Sequence, residues 1–131
     1  MALGHDKLRN LAGVALGVLG LLLCRHYTGP GAALLHAHGA NLTFSFGAFY
    51  ILKLTRLPRV ERGRVCAAYA LTGVCAQEIA QGLSLYPGVF DPLDFVANAA
   101  GIALAWTLAA ATAPALQPPP HSQYTVPPSE R

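Results

Sequence analysis

The sequence contains few charged residues. Asp, Glu, Lys and Arg together make up 11% of the 131 residues, whereas apolar residues make up 53%. A soluble domain usually carries about 25% charged residues. A chain with so few charges cannot present most of its surface to water, so we expect a small integral membrane protein of one domain. The abundance of Ala, Leu and Gly favours helices in lipid over strands.

Several signatures of chemistry are also missing from the sequence. The net charge is only +3 and the charged residues cluster between apolar runs, so we expect no nucleic-acid partner. The sequence has no nucleophile and base at a recognisable spacing, no glycine-rich phosphate loop and no His-Glu-x-x-His motif. An enzyme is therefore the minority interpretation, and the sequence indicates no cofactor.

The three cysteines do not predict a disulfide. Cys66 and Cys75 fall on one predicted helix, where nine residues span roughly 13 Å along the axis. A disulfide needs Cα atoms within about 7 Å of each other. Cys24 stands alone near the end of another helix, so we interpret all three as small packing residues.

Four apolar stretches are long enough to cross a hydrocarbon layer of roughly 30 Å. They cover residues 8–24, 32–54, 65–85 and 93–113. Breakers separate them at Pro30, at Pro58 and at Pro87. We therefore predict an all-α domain over residues 1–113 that is a bundle of four transmembrane helices. Residues 114–131 hold six of the ten prolines, so we expect an extended tail there.

The first apolar stretch resembles a lipoprotein signal, because Lys7 and Arg9 precede an apolar run that ends at Cys24. Such a signal requires a small residue just before the cysteine, and Leu23 occupies that position. We therefore predict that this helix is retained.

The basic residues predict the orientation of the four helices. Eight of the nine lie at the start of the first helix, between the end of the second helix and the start of the third, or in the tail, and the exception is Arg25. Lys and Arg are retained on the cytoplasmic side during insertion. Four helices place these three segments on one side, so we expect both termini in the cytoplasm.

Small residues recur at helical spacing on the first and fourth stretches. Gly13 and Gly17 form one pair, and Gly101 and Ala105 form another. Such pairs let helix backbones approach closely in a membrane. The sequence leaves open whether the neighbouring helix belongs to the same chain or to another one.

Three predicted helices carry polar residues at similar depth in the outer half of the membrane. Glu78 and Gln81 lie three residues apart on the third helix, Asp94 and Asn98 share a face of the fourth, and His38 lies on the second. Ionisable groups at membrane depth are costly and turn away from lipid. The pattern predicts a polar cluster between the helices.

Each of these residues also has a purely structural interpretation. Asp91, Pro92 and Asp94 match the start of a helix, with Asp91 as N-cap and both carboxylates near the positive helix end. Glu78 could simply form a hydrogen bond with Asn98 or His38 between helices. These alternatives stay open at the level of sequence.

A metal site is not predicted. His36 and His38 are two residues apart and point about 200° apart on an α-helix, so they cannot serve one site. The remaining alternative is a metal ion held by His38, Glu78 and Asp94.

The second half of the chain carries a recognisable pattern. It reads Glu78-Ile-Ala-Gln81, then Pro87-Gly88, then Asp91-Pro-Leu-Asp94-Phe-Val-Ala-Asn98-Ala-Ala-Gly101. This resembles the VanZ-like family, whose members show Glu-x-x-Gln on one helix, a short loop with Pro and Gly, and Asp-x-x-x-Asn-x-x-Gly on the next. A histidine-bearing helix upstream, as at His36 and His38, is also typical. The resemblance covers the second to fourth predicted helices.

The resemblance implies a multi-pass protein of the bacterial inner membrane whose founding member is linked to low-level resistance to the lipoglycopeptide teicoplanin. The family's polar set corresponds here to six residues: Glu78, Gln81, Asp91, Asp94, Asn98 and Gly101. Many members carry an Arg after the Pro-Gly pair, whereas this sequence has Val89-Phe90. An anion-binding role for that Arg would therefore be altered or lost.

Two functions follow as expectations. The first is recognition of an envelope component, either a lipid headgroup or a lipoglycopeptide, by a cluster that contains His38, Glu78, Gln81, Asp91, Asp94 and Asn98. The alternative is a non-catalytic accessory subunit of a larger membrane complex, docked through its small-residue faces. The expected partners are membrane lipids and, in the alternative, other membrane subunits.

Overall fold

The computed structural model describes residues 4–55 and 62–113, and these ranges contain helices and no strand. The elements are α1 (His5–His26), α2 (Ala32–Leu34), a π-helical turn (Leu35–Gly39), α3 (Ala40–Leu54), α4 (Gly63–Gly82) and α5 (Pro92–Ala111). Residues 32–54 are helical without a break, and we call them the second rod. The all-α class predicted from composition is confirmed. The predicted tail, residues 114–131, lies outside the described residues.

The ends of the helices differ from the predicted ones for identifiable reasons. The sequence predicts a third helix that reaches residue 85, but α4 ends at Gly82 because Ser84 takes a left-handed conformation with φ of 58°. The Leu85 amide then donates to the Ala80 carbonyl at 2.8 Å, and the Ser84 amide donates to Gln81 at 2.9 Å. These two bonds form a Schellman motif that closes the helix.

The start of α5 follows the predicted capping pattern. Asp91 is the N-cap, and its side chain accepts a hydrogen bond from the Leu93 amide at 2.9 Å. Pro92 occupies the first turn, where its missing amide hydrogen is not needed. The helix therefore begins one residue before the predicted start at 93.

The helix α3 lies at the centre of the bundle. It packs against α1 on one side and α5 on the other, and α4 packs against α5 and α3. The core between these helices is rich in aromatic rings, with the ring centroids of Phe46 and Phe49 at 5.2 and 5.3 Å from that of Tyr50. Aromatic pairs at such distances stabilise beyond the area they bury.

The predicted small-residue faces are covered by helices of the same chain. A Cβ atom on Gly17 would lie 2.8 Å from the Cα atom of Gly47, and one on Gly101 would overlap the carbonyl oxygen of Leu42. Gly13 faces the ring of Tyr50, and Ala105 is fully buried. The small residues therefore allow α1 and α5 to approach α3 closely.

The contacts fix which helix ends lie together. Arg9, near the start of α1, donates from Nη1 to the carbonyl of Thr112, just after α5, at 3.2 Å. We call the end where α1 begins and α5 ends the basic end, because it carries Lys7, Arg9, Lys53, Arg62 and Arg64. The opposite end is the acidic end, because it carries Glu78, Asp91 and Asp94.

The outer surface of the bundle is strongly apolar. Leu16, Leu19 and Leu22 on α1 and Val96 and Leu104 on α5 each have about half or more of their surface exposed. Exposed apolar surface on this scale marks contact with a membrane or a partner. By length and composition, α1 and α5 can cross a membrane, which indicates membrane association. The four-span arrangement stays a prediction.

Candidate functional site

Five polar side chains from three elements meet near the acidic end of the bundle. We call them the polar cluster, which consists of His38, Ser45, Glu78, Asp94 and Asn98. The second rod supplies His38 and Ser45, α4 supplies Glu78, and α5 supplies the other two. Because Gly101 brings α3 and α5 close together, side chains as short as serine and asparagine can bond across the interface.

A chain of hydrogen bonds links the buried part of the polar cluster. The Ser45 hydroxyl donates to Asn98 Oδ1, and Asn98 Nδ2 donates to Glu78 Oε1 at 3.4 Å. The exposed fractions of these three residues are only 0%, 1% and 3%. Asn98 therefore links the second rod to α4. Its bond to Glu78 is the structural hydrogen bond between helices that the sequence left open as an alternative.

His38 and Asp94 form the more accessible part of the polar cluster. His38 Nδ1 lies 2.8 Å from Asp94 Oδ1, and their side chains are 17% and 10% exposed. A carboxylate can only accept, so Nδ1 carries the proton in this pair. An external group would therefore meet His38 and Asp94 before it met the buried members.

Glu78 retains unused capacity to accept a hydrogen bond. Its Oε2 atom is buried and has no hydrogen-bond partner among the described residues. Buried polar atoms are nearly always partnered, and an exception calls for a physical explanation. A donor group from outside the chain, such as a hydroxyl or an ammonium, would satisfy this oxygen.

The charges around the polar cluster favour the same class of ligand. Glu78 and Asp94 belong to the acidic end, while the described Lys and Arg residues other than Arg25 lie at the basic end. Within the polar cluster only His38 can carry positive charge. The site is therefore suited to hydrogen-bond donors and cationic groups, not to anions.

Two members of the predicted cluster lie apart from it. Asp91 directs its carboxylate to the Leu93 amide as the N-cap of α5. Gln81 is one turn beyond Glu78, and its Nε2 donates to the Pro87 carbonyl at 3.5 Å. Conversely, Ser45 belongs to the polar cluster through its bond to Asn98, although it was not among the predicted members.

The two histidines of the π-helical turn form hydrogen bonds with different segments of the chain. His36 Nε2 lies 2.8 Å from the Tyr27 carbonyl, whereas His38 bonds Asp94. They do not share one site, as their spacing predicts. No group of three or more His, Cys, Asp and Glu side chains within residues 4–55 and 62–113 is arranged to hold a metal ion.

Comparison with known proteins finds no matching family model, no matching curated protein and no matching solved structure. The resemblance to the VanZ-like family therefore stays a prediction that rests on the residue pattern alone.

Proposed function

We propose that this chain is a four-span protein of the bacterial inner membrane that recognises an envelope component through the polar cluster. The ligand presents hydroxyl or ammonium donors, as a phosphatidylethanolamine headgroup or a lipoglycopeptide of the teicoplanin type does. The proposal includes the VanZ-like relationship, which gives teicoplanin as the first ligand to test.

The membrane placement is supported by the exposed apolar surface and by the separation of charges. Basic residues gather at the end where α1 begins, and this end would face the cytoplasm under the positive-inside rule. Both termini would then be cytoplasmic, and the polar cluster would lie in the outer half of the membrane. A ligand from the envelope would approach from that side.

The observation that carries the recognition proposal is the unpartnered Oε2 atom of Glu78. An unsatisfied polar group in a dry interior is costly, so a donor group of a ligand that reached this oxygen would be bound favourably. Glu78 and Asp94 act as acceptors for the ligand, and Asn98 and His38 hold these two carboxylates in place.

The test is the double variant Glu78→Gln and Asp94→Asn. Both replacements keep an oxygen that accepts the bonds from Asn98 and His38, and both remove the negative charge. Hydrogen bonds to charged groups contribute about 1.5–3 kcal/mol each. We therefore expect the affinity for teicoplanin or for phosphatidylethanolamine, measured by calorimetry on detergent-purified protein, to fall by at least about tenfold.

The matched control is Asp91→Asn, which removes a third carboxylate at the same end of the bundle. Asparagine caps helices as well as aspartate does, so α5 keeps its start and binding should stay at the wild-type level. Wild-type affinity in the double variant would show that the polar cluster is not the binding site. A wild-type protein that binds neither probe would refute the recognition proposal.

The small-residue faces of α1 and α5 do not support the alternative of an accessory subunit. The small-residue faces that suggested docking to other subunits are covered by α3 of the same chain. What a partner could still cover is the exposed leucine face of α1. A native mass in mild detergent equal to a monomer or a small homo-oligomer would favour the stand-alone function, and stoichiometric co-purifying subunits would favour the alternative.

A further inference from the structure

A groove lies between the end of α1 and the π-helical turn. Its volume is about 540 Å³. The residues that line it are Leu21, Leu22, Cys24, Arg25, Leu35, His36 and Ala40. Its walls are thus mostly apolar, with one permanent positive charge at the end of the bundle.

Arg25 is the unusual feature of this groove. It is the basic residue that the predicted orientation places on the outer side. No hydrogen bond or ion pair joins its guanidinium to another residue in the described part of the chain. The acidic residues at the same end belong to α4, α5 and the turn before α5, and the groove is lined by α1 and the second rod alone.

The groove walls are held by specific contacts. His36 Nε2 donates to the Tyr27 carbonyl at 2.8 Å, which ties the segment after α1 to the π-helical turn. Gly39 lies against Cys24, where a Cβ atom would come 2.7 Å from the sulfur. These two contacts hold the end of α1 and the segment after it against the π-helical turn.

We propose that this groove binds one anionic phospholipid of the outer leaflet, with its phosphate on Arg25 and the start of an acyl chain along Leu21, Leu22 and Leu35. The guanidinium offers five donors in a planar fork that matches phosphate geometry. The exposed face of α1 continues the apolar path through Leu19 and Leu16. The charge is opposite to that of the polar cluster, so the two sites take different ligands.

This inference depends on the membrane placement proposed above but not on recognition by the polar cluster. The test uses the full chain in lipid nanodiscs with photoactivatable phosphatidylglycerol or phosphatidylcholine that carry identical acyl chains. Cross-linked peptides are then identified by mass spectrometry. We expect phosphatidylglycerol to label peptides with residues 21–25 and 35–40 about fivefold more than phosphatidylcholine, the effect of one basic residue at a membrane surface.

Two variants and a control make the test specific. Arg25→Gln should reduce labelling by phosphatidylglycerol about fivefold, to the level of phosphatidylcholine. Ala40→Trp should fill the groove and remove its labelling by both lipids. The control Arg64→Gln removes an exposed positive charge at the basic end and should leave labelling of the groove unchanged.

Equal labelling by the two lipids in the wild type, or an unchanged preference in Arg25→Gln, would overturn the lipid site. In either case, labelling along Leu16 and Leu19 by both probes would show that the membrane placement still holds. Absence of any labelling on α1 would overturn the placement as well as the lipid site.

Discussion

Replacing Gly101 with alanine is expected to lower the free energy of unfolding by about 3 kcal/mol, the upper part of the usual range for overpacking. The new Cβ atom would overlap the carbonyl oxygen of Leu42, which is backbone and cannot swing away. The helices α3 and α5 would have to separate, and the bond between Ser45 and Asn98 would lengthen with them. Unfolding in detergent, followed by circular dichroism, measures the change.

Gly73 provides the matched control for this prediction. It lies in α4, and a Cβ atom there would meet nothing within 4 Å. Gly73→Ala should therefore leave stability unchanged or raise it by about 0.5–1 kcal/mol through the helix preference of alanine. Equal stability of the Gly101→Ala and Gly73→Ala proteins would contradict the close contact between α3 and α5.

Replacing Tyr50 with alanine is expected to lower the free energy of unfolding by about 3–5 kcal/mol, as for other large buried aromatic residues. The ring lies between Phe46, Phe49 and the Gly13 face of α1, and the residue is 1% exposed. Its loss would leave a cavity where α1 and α3 meet. The same detergent unfolding assay measures the effect.

Two further variants separate the ring of Tyr50 from its hydroxyl. Tyr50→Phe removes only the hydrogen bond to the Ala105 carbonyl, at 3.2 Å, so we expect a loss of about 1 kcal/mol. Tyr69→Ala removes an exposed ring on α4 and should be nearly neutral. A loss for Tyr50→Ala no larger than that for Tyr50→Phe would show that the ring is not a packing centre.

The sequence was sufficient for the helical class and for most of the helix positions, because apolar runs and breakers act locally. The start of α5 is the clearest example, since Asp91 and Pro92 determine it through their own side chains. The end of α4 was predicted three residues too late. Residues 83–85 are compatible with a helix by composition, and only the left-handed conformation of Ser84 ends it.

The candidate site was only partly predictable, because its composition depends on how the helices pack against one another. Helical spacing identified the faces that carry His38, Glu78, Asp94 and Asn98, but not the rotation of each helix against its neighbours. The π-helical turn at Leu35–Gly39 changes the rotation of the second rod locally, and it has no signature in the residue pattern. Tertiary packing places Ser45 in the polar cluster and Gln81 outside it, and a single sequence does not specify that packing.

The topology of the chain in the membrane tests the proposed four-span arrangement most directly. Single cysteines would be introduced at Thr28, Leu85 and Arg62 in a protein whose own three cysteines are replaced by alanine, with the fold checked by circular dichroism. A membrane-impermeant maleimide would then be added to spheroplasts. We predict labelling of Thr28→Cys and Leu85→Cys from outside, and labelling of Arg62→Cys only after the membrane is opened. Labelling of Arg62→Cys in intact spheroplasts, or recovery of the protein in the soluble fraction, would contradict the four-span arrangement.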